Sequence, residues 1–166
     1  MVLHSSSQVT TIKANNTGGL HLFINAVYGS NWRYERNCGP WVVLGDFNTA
    51  RHSDEKLGRN PPPLAKLAPS NSCINSCQLF DLKHIGSHWL WHNNSLGSSR
   101  IIGRLDRVLC NQAWIDTLAD SYYEYQSYAT SDHAPITLHL LAATNTGPKT
   151  FKYFTYWYKC AVSEIL

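Results

Sequence analysis

Apolar residues in this chain come in short runs, each closed by Gly, Asn, Asp or Pro. That punctuation permits many short strands and leaves little room for long helices. The clearest case is Trp41-Val42-Val43-Leu44, an unbroken apolar run that reads as a strand buried on both faces. Residues 8–12 and 20–27 read as two strands around the turn Asn15-Asn16-Thr17-Gly18-Gly19. Residues 89–92, 100–103, 107–110, 122–128 and 136–141 read as further strands. Between them, residues 49–70 carry charge and Pro61-Pro62-Pro63, which predicts a long surface loop. A short helix is expected over residues 72–80. A second is expected to follow Asn111, whose side chain can accept from the free amides of a first turn, and to run to about residue 118. The expected class is α/β (α+β), a sandwich-like packing of sheets with few helices. Residues 1–141 form the expected domain, and 142–166 read as a Thr/Asn/Gly/Pro linker followed by an aromatic tail.

Composition narrows the function classes. The chain has 166 residues, 43% of them hydrophobic, so it can bury a core, and its length suits one domain. No apolar run approaches the ~20 residues that span a bilayer, so a membrane partner is not expected. The first residues lack the basic region and apolar core of a secretory signal, which points to an intracellular protein, nuclear or cytoplasmic. A net charge of +3 is too mild to argue for nucleic acid by itself. The five cysteines are an odd number and read as reduced thiols. Cys73 and Cys77 with His84 and His88 do not make a zinc finger, because the gap between the pairs is too short for its hairpin and helix.

Four short pieces could carry chemistry. Gly45-Asp46-Phe47-Asn48 directly follows the buried strand. In extended backbone Asp46 and Asn48 would leave on one face while Phe47 turns into the core. A carboxylate beside an amide suits a water to be activated, or a hard cation; the same residues also favour a simple turn. Ser131-Asp132-His133-Ala134-Pro135 precedes the last strand, offering a metal-binding carboxylate beside a base or phosphate donor, or else a capped loop. Arg104-Leu105-Asp106-Arg107 sets a carboxylate between two arginines. Asp106 could orient a histidine and stabilise its imidazolium, or simply belong to a surface ion pair. Tyr28, ending a strand before Gly29, could donate to a phosphate oxygen or cap the core edge.

Taken in order, Tyr28-Gly29-Ser30-Asn31, Gly45-Asp46-Phe47-Asn48, Leu105-Asp106-Arg107-Val108 and Ser131-Asp132-His133-Ala134-Pro135 resemble the endonuclease/exonuclease/phosphatase superfamily. The likeness is closer still to the endonuclease domain of plant non-LTR (LINE-type) retrotransposons. It extends to Arg51 through Gly58, Phe80-Asp81-Leu82, Gly86-Ser87-His88-Trp89-Leu90-Trp91-His92-Asn93 and Trp114. The segment Phe151-Lys152-Tyr153-Phe154 with Trp157 is similar to the join between that endonuclease and its reverse transcriptase.

The resemblance implies a four-layer α/β sandwich of two mixed sheets that hydrolyses phosphoester bonds with Mg²⁺ or Mn²⁺. By position, Asp46 would activate water, with Asn48 orienting it and contacting metal or phosphate. Asp46, Asn48 and Asp132 would hold the metal, His133 would contact the scissile phosphate or act as base while bonded to Asp106, and Tyr28 would touch the phosphate. The partner would be DNA. The family's N-terminal catalytic Asn and metal-binding Glu have no counterpart here, and only residues 32–40 stand where a helix is usual. These departures imply a truncated, partial sandwich lacking N-terminal strands, with weakened metal affinity and impaired catalysis. The competing class is a non-catalytic nucleic-acid-binding module or an inert genomic relic. A small-molecule phosphatase of the same superfamily is the third reading.

Overall fold

The computed structural model describes residues 1–6, 8–15, 20–29, 39–86, 88–127 and 131–141. The expectations for the turn at 16–19, for Asn31, and for the linker and tail at 142–166 lie outside them.

A six-stranded mixed sheet forms the centre. Strands β2 (Val9–Asn15) and β3 (His21–Tyr28) pair antiparallel from Val9↔Val27 to Asn15↔His21, the hairpin that the Asn/Gly turn predicts. An unanticipated strand, β1 (Val2–Ser5), extends that edge by pairing with β2. On the other side β4 (Trp41–Asp46) runs parallel to β3. The elements β5 (Lys56–Leu57), α1 (Leu64–Ser76), β6 (Phe80–Asp81), β7 (His84–Ile85), β8 (Trp91–His92) and β9 (Ile102–Gly103) then intervene before β10 (Asp106–Cys110). Strand β10 pairs antiparallel with β4, and β6 pairs with β10, giving the order β1-β2-β3-β4-β10-β6. After α2 (Gln112–Thr117), strands β11 (Tyr122–Tyr125) and β12 (Ile136–His139) form a second mixed sheet, order β12-β11-β7. A small third sheet has the order β5-β9-β8.

Alternation along β4 and β10 decides the layering. Val42, Leu44, Val108 and Cys110 face the second sheet, where Tyr123, Tyr125, Ile136 and Leu138 meet them. Trp41, Val43 and Leu109 face the other way, against Ile74 of α1 with Phe47 and Leu79. The described residues thus supply a helix–sheet–sheet stack, three of the four layers of the expected sandwich. Apolar contact on both faces bears out the reading of Trp41-Val42-Val43-Leu44, and each large side chain removed from water contributes roughly 1.5–3 kcal/mol.

The stretch at 49–70 is not one long loop, and the first helix does not span 72–80. A 3₁₀ turn (Ser53–Glu55) and β5 occupy its first part, and α1 begins at Leu64, behind Pro63 in the N-cap position. Pro69 lies inside the helix but exposed, so its ring is tolerated while Leu67 and Ile74 bury the inner face. The helix stops earlier than expected through a Schellman motif. Gln78 takes a left-handed φ of 53°, its N–H reaches Asn75 O, and Leu79 N–H reaches Ile74 O. Glutamine in place of the usual glycine hides that stop in the sequence. Helix α2 begins as expected: Asn111 Oδ1 accepts from Trp114 N–H at 3.0 Å, and Trp114 fills the core.

Candidate active site

Three elements bring the polar residues together at one end of the stack. Strand β4 ends on Asp46, and β10 begins on Asp106 directly opposite it. Gly45 permits that ending. Its φ is +133°, and a Cβ there would stand 2.1 Å from the Val27 carbonyl oxygen, so no side chain fits between β3 and β4. Beyond the strand, Phe47 N–H donates to Leu105 O and its ring is fully buried, the anchoring that the motif predicts. The backbone does not stay extended, however. Asn48 has φ 52° and is exposed, and its N–H donates to Asp46 Oδ1 at 2.8 Å. The turn property of Asp and Asn prevails, and it aims the Asp46 carboxylate.

His133 arrives from the loop before β12. That loop is strapped to β8 by a bridge between Trp91 and His133, by His92 N–H to Asp132 O, and by Ala134 N–H to Leu90 O. His133 Nδ1 lies 2.8 Å from Asp106 Oδ2, and its Nε2 lies 4.0 Å from Asp46 Oδ2. Asp106 therefore orients a histidine, and the two arginines beside it belong elsewhere. Arg104 and Arg107 are buried and turn toward Glu55 and Asp81, so the reading of a surface ion pair does not hold.

Electrostatics follow from this packing. Burial alone would lower the His133 pKa, but the Asp106 hydrogen bond and the charges of Asp106, Asp46 and Asp132 together raise it above its ordinary value. Burial raises the Asp106 pKa, the His133 bond and charge oppose that, and the Asp46 charge adds to it; the net direction is up. The imidazolium form is thereby favoured, with Nε2 facing the Asp46 side.

Among the described residues Asp46, Asp106 and His133 form the one group whose ligand atoms could share a metal ion, all within 4.8 Å of one another. The carboxylates of that group suit a hard divalent cation. Asp46 Oδ2 is buried and accepts no hydrogen bond, an unmet demand that a cation would satisfy. Asp132 stands outside this group, its Oδ2 accepting from Trp91 Nε1 at 3.2 Å. Tyr28 pairs with Asp46 in the β3–β4 register and is 66% exposed, so its phenol sits on the rim rather than in the core.

Sequence reasoning missed the indole of Trp91 as the group that holds Asp132. It also missed Glu55, a buried carboxylate that receives the Arg107 guanidinium. The partners that decide these roles, Asp132 for Trp91 and Arg107 for Glu55, lie tens of residues away in the chain.

A model of the Endonuclease/Exonuclease/phosphatase family matches residues 11–133, a span that holds Tyr28, Asp46, Asp106 and His133. No curated protein matches the chain.

Proposed function

Because the chain belongs to the Endonuclease/Exonuclease/phosphatase family, we propose that it is a metal-dependent phosphodiesterase acting on DNA. The observation that carries the reading is the convergence of Asp46, Asp106 and His133, with one buried carboxylate oxygen left unpaired. Asp46 and Asp132 would hold Mg²⁺ or Mn²⁺, with Asn48 beside them. The bound cation would supply the positive charge that phosphoryl transfer needs. Asp46, its Oδ1 fixed by the Asn48 amide, would hold the cation through Oδ2 and so activate the attacking water, which Asn48 would orient. His133, held by Asp106, donates from Nε2 to a phosphate oxygen, and the exposed Tyr28 phenol meets the same group from the rim.

A cavity of ≈ 270 Å³ opens beside Asn48. Lys56 and Lys66 line it together with Asn48 and Trp91, offering cations and a ring to a nucleic acid strand. The finer relationship, to the endonuclease of plant LINE-type retrotransposons, rests on the order of the segments from Tyr28 to Trp114. We read the activity as weak. Asp106 is committed to His133, and Asp132 to Trp91, so few carboxylate oxygens remain for the cation.

Nicking of supercoiled plasmid by the purified chain tests this. Slow cleavage that requires Mg²⁺ or Mn²⁺ and falls at least ~100-fold in both Asp46→Ala and His133→Ala is expected. A thermal transition unmoved by either metal, together with no plasmid cleavage, would refute it.

A further inference from the structure

The cations of the described residues divide by partner. Arg51, Arg104 and Arg107 pair with Glu55 and Asp81. Lys13, Lys56, Arg59, Lys66, Lys83 and Arg100 make no ion pair with a described carboxylate. Lys13 lies over the Phe23 ring at the β2–β3 hairpin, and Lys83 follows β6. The rest of this unpaired set gathers on one small unit, the β5–β9 ladder with the start of α1.

Lys56 and Lys66 line the cavity beside Asn48. Strand β5 pairs with β9 through Lys56↔Gly103 and Leu57↔Ile102. Past that ladder Gly58 packs so closely that a Cβ on it would stand 2.2 Å from the Arg100 carbonyl oxygen, which brings Arg59 beside Arg100. From Gly103, opposite Lys56, to Arg100 the backbone covers roughly 10 Å. One DNA strand presents a phosphate about every 3.4 Å along the duplex axis, so this span matches about three of them. Nothing in the packing asks for cations here. Arg59, Lys66 and Arg100 are exposed, and Lys66 stands in the first turn of α1, where the helix dipole opposes a positive charge. The nearby acids are engaged elsewhere. Asp54 lines a different cavity with Asp81 and His84, Glu55 holds Arg107, and Asp132 accepts from Trp91.

We propose that the β5–β9 ladder and the start of α1 form the surface on which duplex DNA docks, with Lys56, Arg59, Lys66 and Arg100 taking backbone phosphates. This placement rests on DNA as the substrate and adds the direction in which the duplex leaves the site, past Asn48 and Trp91 toward Arg100. Such contacts fix position without reading sequence. A regularly charged backbone is favoured over an anionic membrane because the cations extend along a ladder that starts at the site itself.

Fluorescence anisotropy of a labelled duplex of about 20 base pairs with the full chain, in EDTA and over a range of salt, tests it. Without metal there is no cleavage, so docking is read apart from hydrolysis. The variant Lys56→Gln/Arg59→Gln/Lys66→Gln/Arg100→Gln should bind at least about 100-fold more weakly at about 50 mM salt, and its slope of log Kd against log salt should fall by about 3. Lys13→Gln/Lys83→Gln, which removes unpaired charge elsewhere, should lose less than about fivefold. Lys56→Gln/Lys66→Gln and Arg59→Gln/Arg100→Gln should each lose about half of the slope, and they decide the matter if the fourfold variant does not fold. Absence of duplex binding at low salt overturns the proposal. So does an unchanged slope in the ladder variants, an equal loss in Lys13→Gln/Lys83→Gln, or displacement of the duplex by phosphatidylserine vesicles. Plasmid nicking that survives in the fourfold variant overturns it while leaving the hydrolytic reading in place. Ladder-dependent binding by a chain that never nicks overturns the hydrolytic reading alone.

Discussion

Replacing Glu55 by alanine tests whether the charged network beneath the site is structural. Glu55 is buried, and its Oε2 accepts from the amides of Arg51 at 2.6 Å and His52 at 3.1 Å as well as from Arg107. Its Oε1 accepts from Arg107 Nη1 at 3.1 Å. Arg107 is 1% exposed and sits opposite Gly45 in the central sheet, so it cannot swing into water when its partner goes. What remains for it is Arg104 O at 3.3 Å and Asp81 at 3.6 Å. Breaking one half of a buried pair costs about 3–5 kcal/mol, a large part of the 5–15 kcal/mol typical of a domain. Glu55→Ala should therefore lower Tm by roughly 10 °C. Urea titration at neutral pH measures the loss. The double variant Glu55→Leu with Arg107→Met should recover most of it, because two apolar groups leave no charge behind. The pH dependence has a definite sign. Burial raises the Glu55 pKa, but the Arg107 bond and charge and the two backbone amides bring it below the ordinary 4.5. A carboxylate lowered on folding contributes stability above its unfolded pKa, and that contribution fades as pH falls through the folded value. The gap between wild type and Glu55→Ala should thus be full above about pH 5 and narrow below about pH 4. A loss under about 1 kcal/mol at neutral pH, the scale of an exposed pair, would refute the argument. A gap that widens in acid would do the same.

Three further substitutions probe other links. Asp46→Asn removes one of the charges that favour the His133 imidazolium, so it should lower the His133 pKa, read by NMR titration, while abolishing any Mg²⁺-induced thermal shift. Pro69→Ala restores a backbone donor in the exposed middle of α1 and should stabilise by about 1–3 kcal/mol, read from the urea midpoint. Gly45→Ala drives a Cβ into the Val27 carbonyl and should cost at least about 3 kcal/mol, seen as insoluble expression or a melt without cooperativity.

The parts of this molecule that could be read from the chain are those whose cause is local. Unbroken apolar residues at 41–44 give a strand with two buried faces, and the Asn111 side chain starts a helix through bonds to residues three positions away. Where two local signals compete, the reading fails. Prolines at 61, 62, 63 and 69 suggest a loop, yet Ile74 finds apolar partners on the central sheet and the helix forms with Pro69 inside it. Asp46 and Asn48 could have continued the strand or closed a turn. The close approach of β3 at Gly45 and the pull of Leu105 on the Phe47 amide leave the turn as the available course.

The candidate site divides along the same line, and the division bears on how it works. Which residue types carry chemistry is visible in the order of the motifs, because Asp46 ends a strand, Asp106 begins one and His133 stands in the loop just before another. Which carboxylate serves which partner is not visible, since that depends on contacts spanning tens of residues. Asp106 is drawn to His133 across the space between two sheets, and Asp132, adjacent to that histidine in the chain, is held by the Trp91 indole instead. Arg107 follows Asp106 in β10, so alternation sends it to the opposite face of the sheet, where Glu55 neutralises it. The strand thus keeps an arginine one residue from the reactive carboxylates without letting it pair with them. Had Arg107 reached the same face, Asp46 Oδ2 would have gained a donor, and the unmet demand that favours a cation there would have been lost.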